Sequence, residues 1–192
     1  MLKKIIISLS SIFLIIGVVY LITISKEYNI KEGVKYGKEN AAIKILEYSS
    51  FQCGSCKELH DEIGDELKEY IKDGTVEYTV KFVDIERFEY DDVIFKHISE
   101  NDLKNINKIN EIFKKQDKWK KLNSKEEVID YLNLNEEPNE KHLEEYLWKR
   151  EELLEMDIRS VPSVYINGNK IEGKIKKQEF IDIINQELMK NN

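Results

Sequence analysis

The stretch Ile45–His60, "ILEYSSFQCGSCKELH", holds both cysteines of the chain, Cys53 and Cys56, two residues apart. It also changes periodicity at the first cysteine. "AIKILEY", Ala42 to Tyr48, is a β-rich run, and "SSFQ" leads from it to Cys53. From there Cys56, Leu59, Ile63, Leu67, Tyr70 and Ile71 fall three or four residues apart, which is the apolar stripe of an amphipathic helix. Asp73-Gly74 ends that helix. "TVEYTVKFVDI", Thr75 to Ile85, is rich in β-branched and aromatic residues and reads as a second strand. Strand, helix and strand in that order predict a parallel pair joined by a crossover.

Outward from this unit, the region from Tyr90 to about Met156 reads as three or four helices. Its clearest member is "NEKHLEEYLWKREELLEM", with Leu143, Tyr146, Leu147, Arg150, Leu153 and Leu154 on one stripe. Strand character returns in "PSVYINGNKIEG", Pro162 to Gly173, where Asn167-Gly168 between β-runs signals a hairpin. "KKQEFIDIINQELMK" closes the chain as an amphipathic helix carrying Phe180, Ile181, Ile184 and Leu188. The order predicts an α/β domain, a mixed sheet covered by helices.

At the other end, Ile5 to Ile24 is a run of twenty residues without a charge, long enough to cross a bilayer as a helix. Its best cleavage-like site, Thr23-Ile24-Ser25, is weak, so residues 1–25 read as an uncleaved signal anchor in the lipid bilayer rather than a cleaved signal. Lys3 and Lys4 keep its N-terminus in the cytoplasm and send the body outside. Residues 26–35, within "SKEYNIKEGVKYGKEN", read as a tether, and residues 36–192 as the folded domain. Lys3 and Lys4 are the sole charges before Lys26; the net charge is −7, so the remainder carries −9. A body that acidic lacks the basic face that a nucleic-acid binder needs.

In an exported domain, structural disulfides tie distant segments together. A bridge between Cys53 and Cys56 closes a small ring and restrains the unfolded chain little. Chemistry is the better reason for the pair. A thiolate is the reactive form, and a helix N-terminus favours it through free N–H groups and the dipole. Cys53 stands at that position and would attack or be attacked; Cys56, one turn inside, would resolve the mixed disulfide. A Cys-x-x-Cys beside a β-α-β pattern is a redox signature.

"Gly37…Ala41", "ILEYSSFQCGSC" and "SVPSVYINGNKIEG" together resemble the thioredoxin superfamily and, within it, the DsbA-like thiol–disulfide oxidoreductases, over roughly Tyr36 to Asn192. The resemblance implies a thioredoxin fold with a helical insertion at about 88–157; 75 residues separate Ile85 from Val161, enough for such a subdomain. It implies a cis Val161–Pro162 bond against the active-site cysteines, where the Val161 backbone binds substrate by strand addition. It further implies that Glu47 is buried beneath the site as a proton shuttle, with Lys81 a candidate partner on the neighbouring strand. No cofactor is implied. Expected partners are reduced or partly unfolded exported proteins and a quinone-linked membrane redox protein. One departure is Gly54-Ser55 between the cysteines, where the family's oxidants often carry Pro and His or Tyr; the reaction direction is left open by it. Disulfide oxidase is the first reading, with a reductase or isomerase of the same fold behind it. The non-enzyme rival is an exported chaperone or metal-binding thioredoxin-like protein.

Other residues read blandly. His60, four residues after Cys56 on the same helical face, lacks further ligands for zinc and reads as packed or at the surface. His97 and His142 carry no signal. Asp91-Asp92 and Glu144-Glu145 read as solvated, Trp119 and Trp148 as packing. Phe51 and Gln52 are candidates for substrate contact, with Phe51 equally a core residue.

Overall fold

The computed structural model describes residues 33–135, 137–148, 153–154 and 156–190. The signal anchor read at residues 1–25 lies outside them. Among the described residues no helix is long and apolar enough to cross a membrane.

Strand β2 (Ile43–Ser49), helix α1 (Gly54–Asp73) and strand β3 (Val76–Val83) form the expected unit, with β2 and β3 parallel from Ile43↔Val76 to Ser49↔Phe82. The register puts Ile43, Ile45, Glu47 and Ser49 on one face with Val76, Tyr78, Val80 and Phe82, all buried. Strand alternation sends Leu46 and Tyr48 to the opposite face with Thr79 and Lys81. Helix α1 covers the first face through Cys56, Leu59, Ile63 and Leu67. It ends at Gly74, whose left-handed conformation (φ 87°) suits glycine and whose N–H reaches the Ile71 carbonyl.

The sheet continues through β5 (Ser163–Ile166), antiparallel to β2, and β6 (Asn169–Ile171), joined to β5 by the Asn167-Gly168 turn. Both turn residues have positive φ, 48° and 81°, as a two-residue hairpin requires. Asn167 also accepts from the Lys44 backbone N–H, tying the turn to β2. The closing helix α8 (Lys177–Lys190) buries Phe180 and Ile184.

Two strands lie where none was expected. Strand β1 (Val34–Tyr36) begins inside the stretch read as a tether and pairs antiparallel with β3 at Val80–Tyr78. Gly37 lets the chain leave it at φ 92°, where any Cβ would run into the Val76 carbonyl oxygen. Farther along the same edge of β3, Phe82 and Val83 pair in parallel with β4 (Leu147–Trp148), and the Asp84 N–H donates to the Trp148 carbonyl (2.7 Å). Leu147 therefore leaves the helical stripe assigned to it. The sheet edge supplies backbone partners that a lone amphipathic helix cannot match.

Between β3 and β4 the helical region divides more finely than expected, into α2 (Glu89–His97), α3 (Glu100–Leu103), α4 (Ile106–Lys114), α5 (Gln116–Trp119), α6 (Lys125–Leu132) and α7 (Lys141–Tyr146). Short polar side chains set the breaks: Ser99, Asn105 and Ser124 each accept a hydrogen bond from the first turn that follows. The main core lies between the sheet, α1 and this insertion. A smaller cluster of Tyr48, Val83, Trp148, Leu153 and Ile158 covers the other face.

Candidate active site

Cys53 is the N-cap of α1, with extended backbone (φ −74°, ψ 121°), and no acidic residue occupies the first turn. Both cysteines are free thiols. Cys53 is 9 % exposed and Cys56 fully buried. The Cys56 thiol hydrogen-bonds to Cys53 and, with the backbone N–H groups of Cys56 and Ser55, overcomes burial and the Glu47 charge to bring Cys53 down to about 6. Burial pushes Cys56 well up, and Cys53 and Glu47 add to it. The ionisable dipeptide residue missing from Cys53-Gly54-Ser55-Cys56 is thus replaced by backbone donors and the second thiol.

Val161–Pro162 is cis, and the Val161 carbonyl faces the Cys53 Sγ at 3.6 Å. Two grooves meet at Val161. One, about 180 Å³, runs between Ser55, Leu59 and Glu62 of α1 and Pro162, Ile171 and Ile175. The other, about 220 Å³, is lined by Cys53, Val83, Phe88, Leu153, Ile158 and Arg159, among others. The second groove reaches Cys53 itself, and the first comes up to Val161 from the Pro162 side.

The turn that carries Cys53 into position is held from the insertion. Asp91 accepts from Ser50 Oγ (2.5 Å) and the Gln52 N–H (2.8 Å); Gln116 Nε2 donates to the carbonyls of Phe51 (2.6 Å) and Cys53 (2.9 Å). Asp91, read as solvated, is in fact buried, because the first turn of α2 packs on the Ser50–Cys53 turn and finds two donors there. Burial pushes its carboxyl up to about 7 against the hydrogen bonds from Ser50 and Gln52. Nothing in the sequence distinguishes Asp91 from Asp92, or Gln116 from its charged neighbours. Phe51 is core, stacked on Phe82 (4.4 Å between centroids), and is removed from the substrate-contact candidates. Gln52 is half-buried and accepts from the Tyr90 N–H.

Glu47 lies buried on the α1 side of the sheet. Its partners are Tyr78, whose hydroxyl donates to Oε2 (2.7 Å), and His60, whose Nε2 lies 3.4 Å from Oε1. Burial alone would raise this carboxyl; the neighbouring His60 and Ser49 and the Tyr78 hydroxyl outweigh it and hold Glu47 below the usual range. Lys81 is not the partner. It pairs with Tyr48 in the β2–β3 register, on the opposite face, and its ammonium sits 4.4 Å from the Trp148 ring centroid. His60 instead stacks on Phe113 (3.9 Å) in the core. Among the described residues no group of three or more His, Cys, Asp or Glu is gathered that could hold a metal ion.

A thioredoxin family model matches residues 29–186, and the chain belongs to that family. No curated protein matches it. Among solved structures it is similar to alpha-DsbA1 of Wolbachia pipientis (17 % identity over 82 % of this chain and 94 % of that one, TM-score 0.56) and to oxidised BdbD of Bacillus subtilis (19 %, 83 % and 95 %, 0.55). A third is a periplasmic thioredoxin-like protein of Salmonella enterica serovar Typhimurium (13 %, 84 % and 93 %, 0.59). The fold is a thioredoxin fold with a helical insertion, and its structural neighbours are of the DsbA type.

Proposed function

We propose that the chain is a thiol–disulfide oxidoreductase that works outside the cytoplasm and introduces disulfides into exported proteins through Cys53 and Cys56. The observation that carries the reading is the inequality of the two thiols: Cys53, at a helix N-terminus and beside Val161, is held near 6, while Cys56 is buried and pushed well up. A substrate thiolate attacks the Cys53 sulfur of the oxidised pair, the Cys53–Cys56 bond breaks, and Cys56 leaves with the electron pair and takes a proton. The substrate's second thiol then gives up its proton and attacks the mixed disulfide. The substrate disulfide forms, and Cys53 departs as a stabilised thiolate. The thiolate's stability favours this direction over reduction. Glu47 serves the proton transfer at Cys56.

The uncharged run Ile5–Ile24 supports a membrane anchor, with the domain on the extracytoplasmic side and a quinone-linked membrane protein as the acceptor of electrons. The periplasmic setting named for the Salmonella neighbour supports the compartment. Cys53→Ser should abolish oxidation of a reduced test protein, and Cys56→Ala should accumulate mixed disulfides with cell-envelope proteins through Cys53. Normal oxidation by the Cys53→Ser variant would refute the assignment.

A further inference from the structure

Four buried side-chain polar atoms among the described residues lack a hydrogen bond, and three of them are neighbours: Glu47 Oε1, Ser49 Oγ and His60 Nε2. Leaving such groups unpaired inside a protein is costly, so a cluster of them calls for a use. The cluster lies beneath Cys56. Glu47 and Ser49 are two residues apart on the same face of β2, and His60 is one turn beyond Cys56 on α1.

The hydrogen-bond network fixes where protons can sit. Asn110 Nδ2 donates to the Gly64 carbonyl (3.3 Å), which turns the amide oxygen of Asn110 toward His60 Nδ1 (3.1 Å). An amide oxygen only accepts, so Nδ1 carries a hydrogen. Glu47 Oε2 is already engaged by the Tyr78 hydroxyl, a phenol that burial keeps protonated. Oε1 and Nε2 therefore face each other at 3.4 Å with both lone pairs uncommitted. A proton between them resides on one or the other, giving either carboxylate with imidazolium or acid with imidazole. Ser49 completes the path: its buried hydroxyl has no hydrogen-bond partner and lies two residues from Glu47 on the same face of β2, the face that α1 covers with Cys56 and His60. Other groups facing the pair are Tyr78 from β3, Cys53 and Cys56 from α1, and Asn110 and Phe113 from α4.

We propose that His60 stores the proton of the resolving cysteine: the Glu47–His60 pair takes it up between Oε1 and Nε2, and the Ser49 hydroxyl relays it to and from Cys56 Sγ. In the resolving direction the Cys56 S–H bond breaks, Ser49 accepts that proton and passes its own to Glu47, and the imidazole shares it. The Cys56 sulfur attacks Cys53, and the former partner of Cys53 leaves as a thiolate with the electron pair. In the oxidising direction the same proton returns to Cys56 as it leaves the disulfide. His60 is thus a positioning residue for the second thiol, acting through Glu47 and Ser49. The inference rests on the reading of Cys53 and Cys56 as a redox pair.

Oxidised glutathione added to the reduced full-length chain separates the steps. Mixed-disulfide formation at Cys53 comes first and ring closure by Cys56 second, both followed by acid quenching and mass measurement. His60→Gln should leave the first step within about twofold and slow the second at pH 7 by roughly 100-fold, the scale of general acid–base catalysis, with the defect shrinking toward pH 9. Ser49→Ala should slow the same step. Equal second steps and equal pH profiles in wild type and His60→Gln would overturn the proposal while leaving the redox pair intact. No adduct and no disulfide in wild type would overturn both. Should His60→Gln fail to fold, the imidazole ¹⁵N shifts of the wild-type reduced chain decide: a hydrogen on Nδ1 throughout pH 5 to 9 supports the relay, and a bare Nδ1 overturns it.

Discussion

The Val161 carbonyl oxygen accepts from the Cys53 thiol at 3.6 Å, joining two residues 108 positions apart. The contact exists because β5 returns antiparallel to β2 after the whole insertion, so the chain just before β5 faces the N-terminus of α1. It places the reactive sulfur against an open backbone segment at the meeting point of two grooves.

Cys53 should alkylate with a pH midpoint of about 6, and Cys56 should stay unreactive through neutral pH. The leading influence on Cys53 is the Cys56 thiol, so Cys56→Ala should move that midpoint up by about one unit or more. Iodoacetamide rates between pH 4 and 10 give both numbers; an unchanged midpoint in Cys56→Ala would assign the effect to the helix N-terminus alone.

Stability of the reduced protein should depend on pH through the same thiol. The folded Cys53 value, about 6, lies below its unfolded value, 9.0, so its contribution is present above pH 9 and is lost as pH falls through 6. The oxidised protein has no such group. The unfolding free energy of the reduced form minus that of the oxidised form should therefore rise between pH 6 and 9, by at most about 4 kcal/mol at 1.36 kcal/mol per unit. Urea titrations of both forms across that range measure it, and a flat difference would contradict it.

Asp91 has the opposite sign. Its folded value, about 7, lies above its unfolded value, 3.8, so its contribution is present below pH 3.8 and is lost as pH rises through 7. Asp91→Asn should stabilise the protein at pH 8 and change it by less than about 1 kcal/mol at pH 3.5, whereas Asp91→Ala, which strips the partners of Ser50 and Gln52, should destabilise it at pH 3.5 by about 1–3 kcal/mol. Loss of stability in Asp91→Asn at pH 8 would show that the carboxylate is a net support for the turn.

Gln116→Leu should cost about 2–4 kcal/mol, since the buried carbonyls of Phe51 and Cys53 lose one donor each. Thermal and urea unfolding report the loss. A neutral substitution would mean that the turn satisfies itself without the insertion.

The features legible in the sequence are those written in local pattern. The period change at Cys53, the stripe from Cys56 to Ile71, the Asn167-Gly168 turn and Pro162 before a β-run each depend on neighbours within a few residues. The elements that local pattern does not reveal depend on distant partners. Val34-Lys35-Tyr36 is too short to show alternation and is a strand because β3 offers an edge, and because Tyr36 Oη donates to the Leu103 carbonyl. Leu147 continues a helical stripe in sequence, yet the open end of β3 captures it together with Trp148. Lys81 stands one residue of register away from the Glu47 partner Val80, which is enough to change faces. Asp91 and Gln116 are polar residues in a charged region, and only the docking of α2 and α5 on the Cys53 turn sets them apart. The helix face of His60 is legible from its spacing to Cys56; its tie to Glu47 depends on the packing of α1 against β2.

The most direct test of the account is the reduction potential of Cys53–Cys56, measured by equilibration of the protein in glutathione buffers. The oxidase assignment predicts a reversible disulfide at the oxidising end, about −120 to −180 mV. A value near the thioredoxin end, about −270 mV, would contradict the oxidase assignment and make the protein a reductase. Failure of the two cysteines to form any reversible bond would contradict the redox reading altogether.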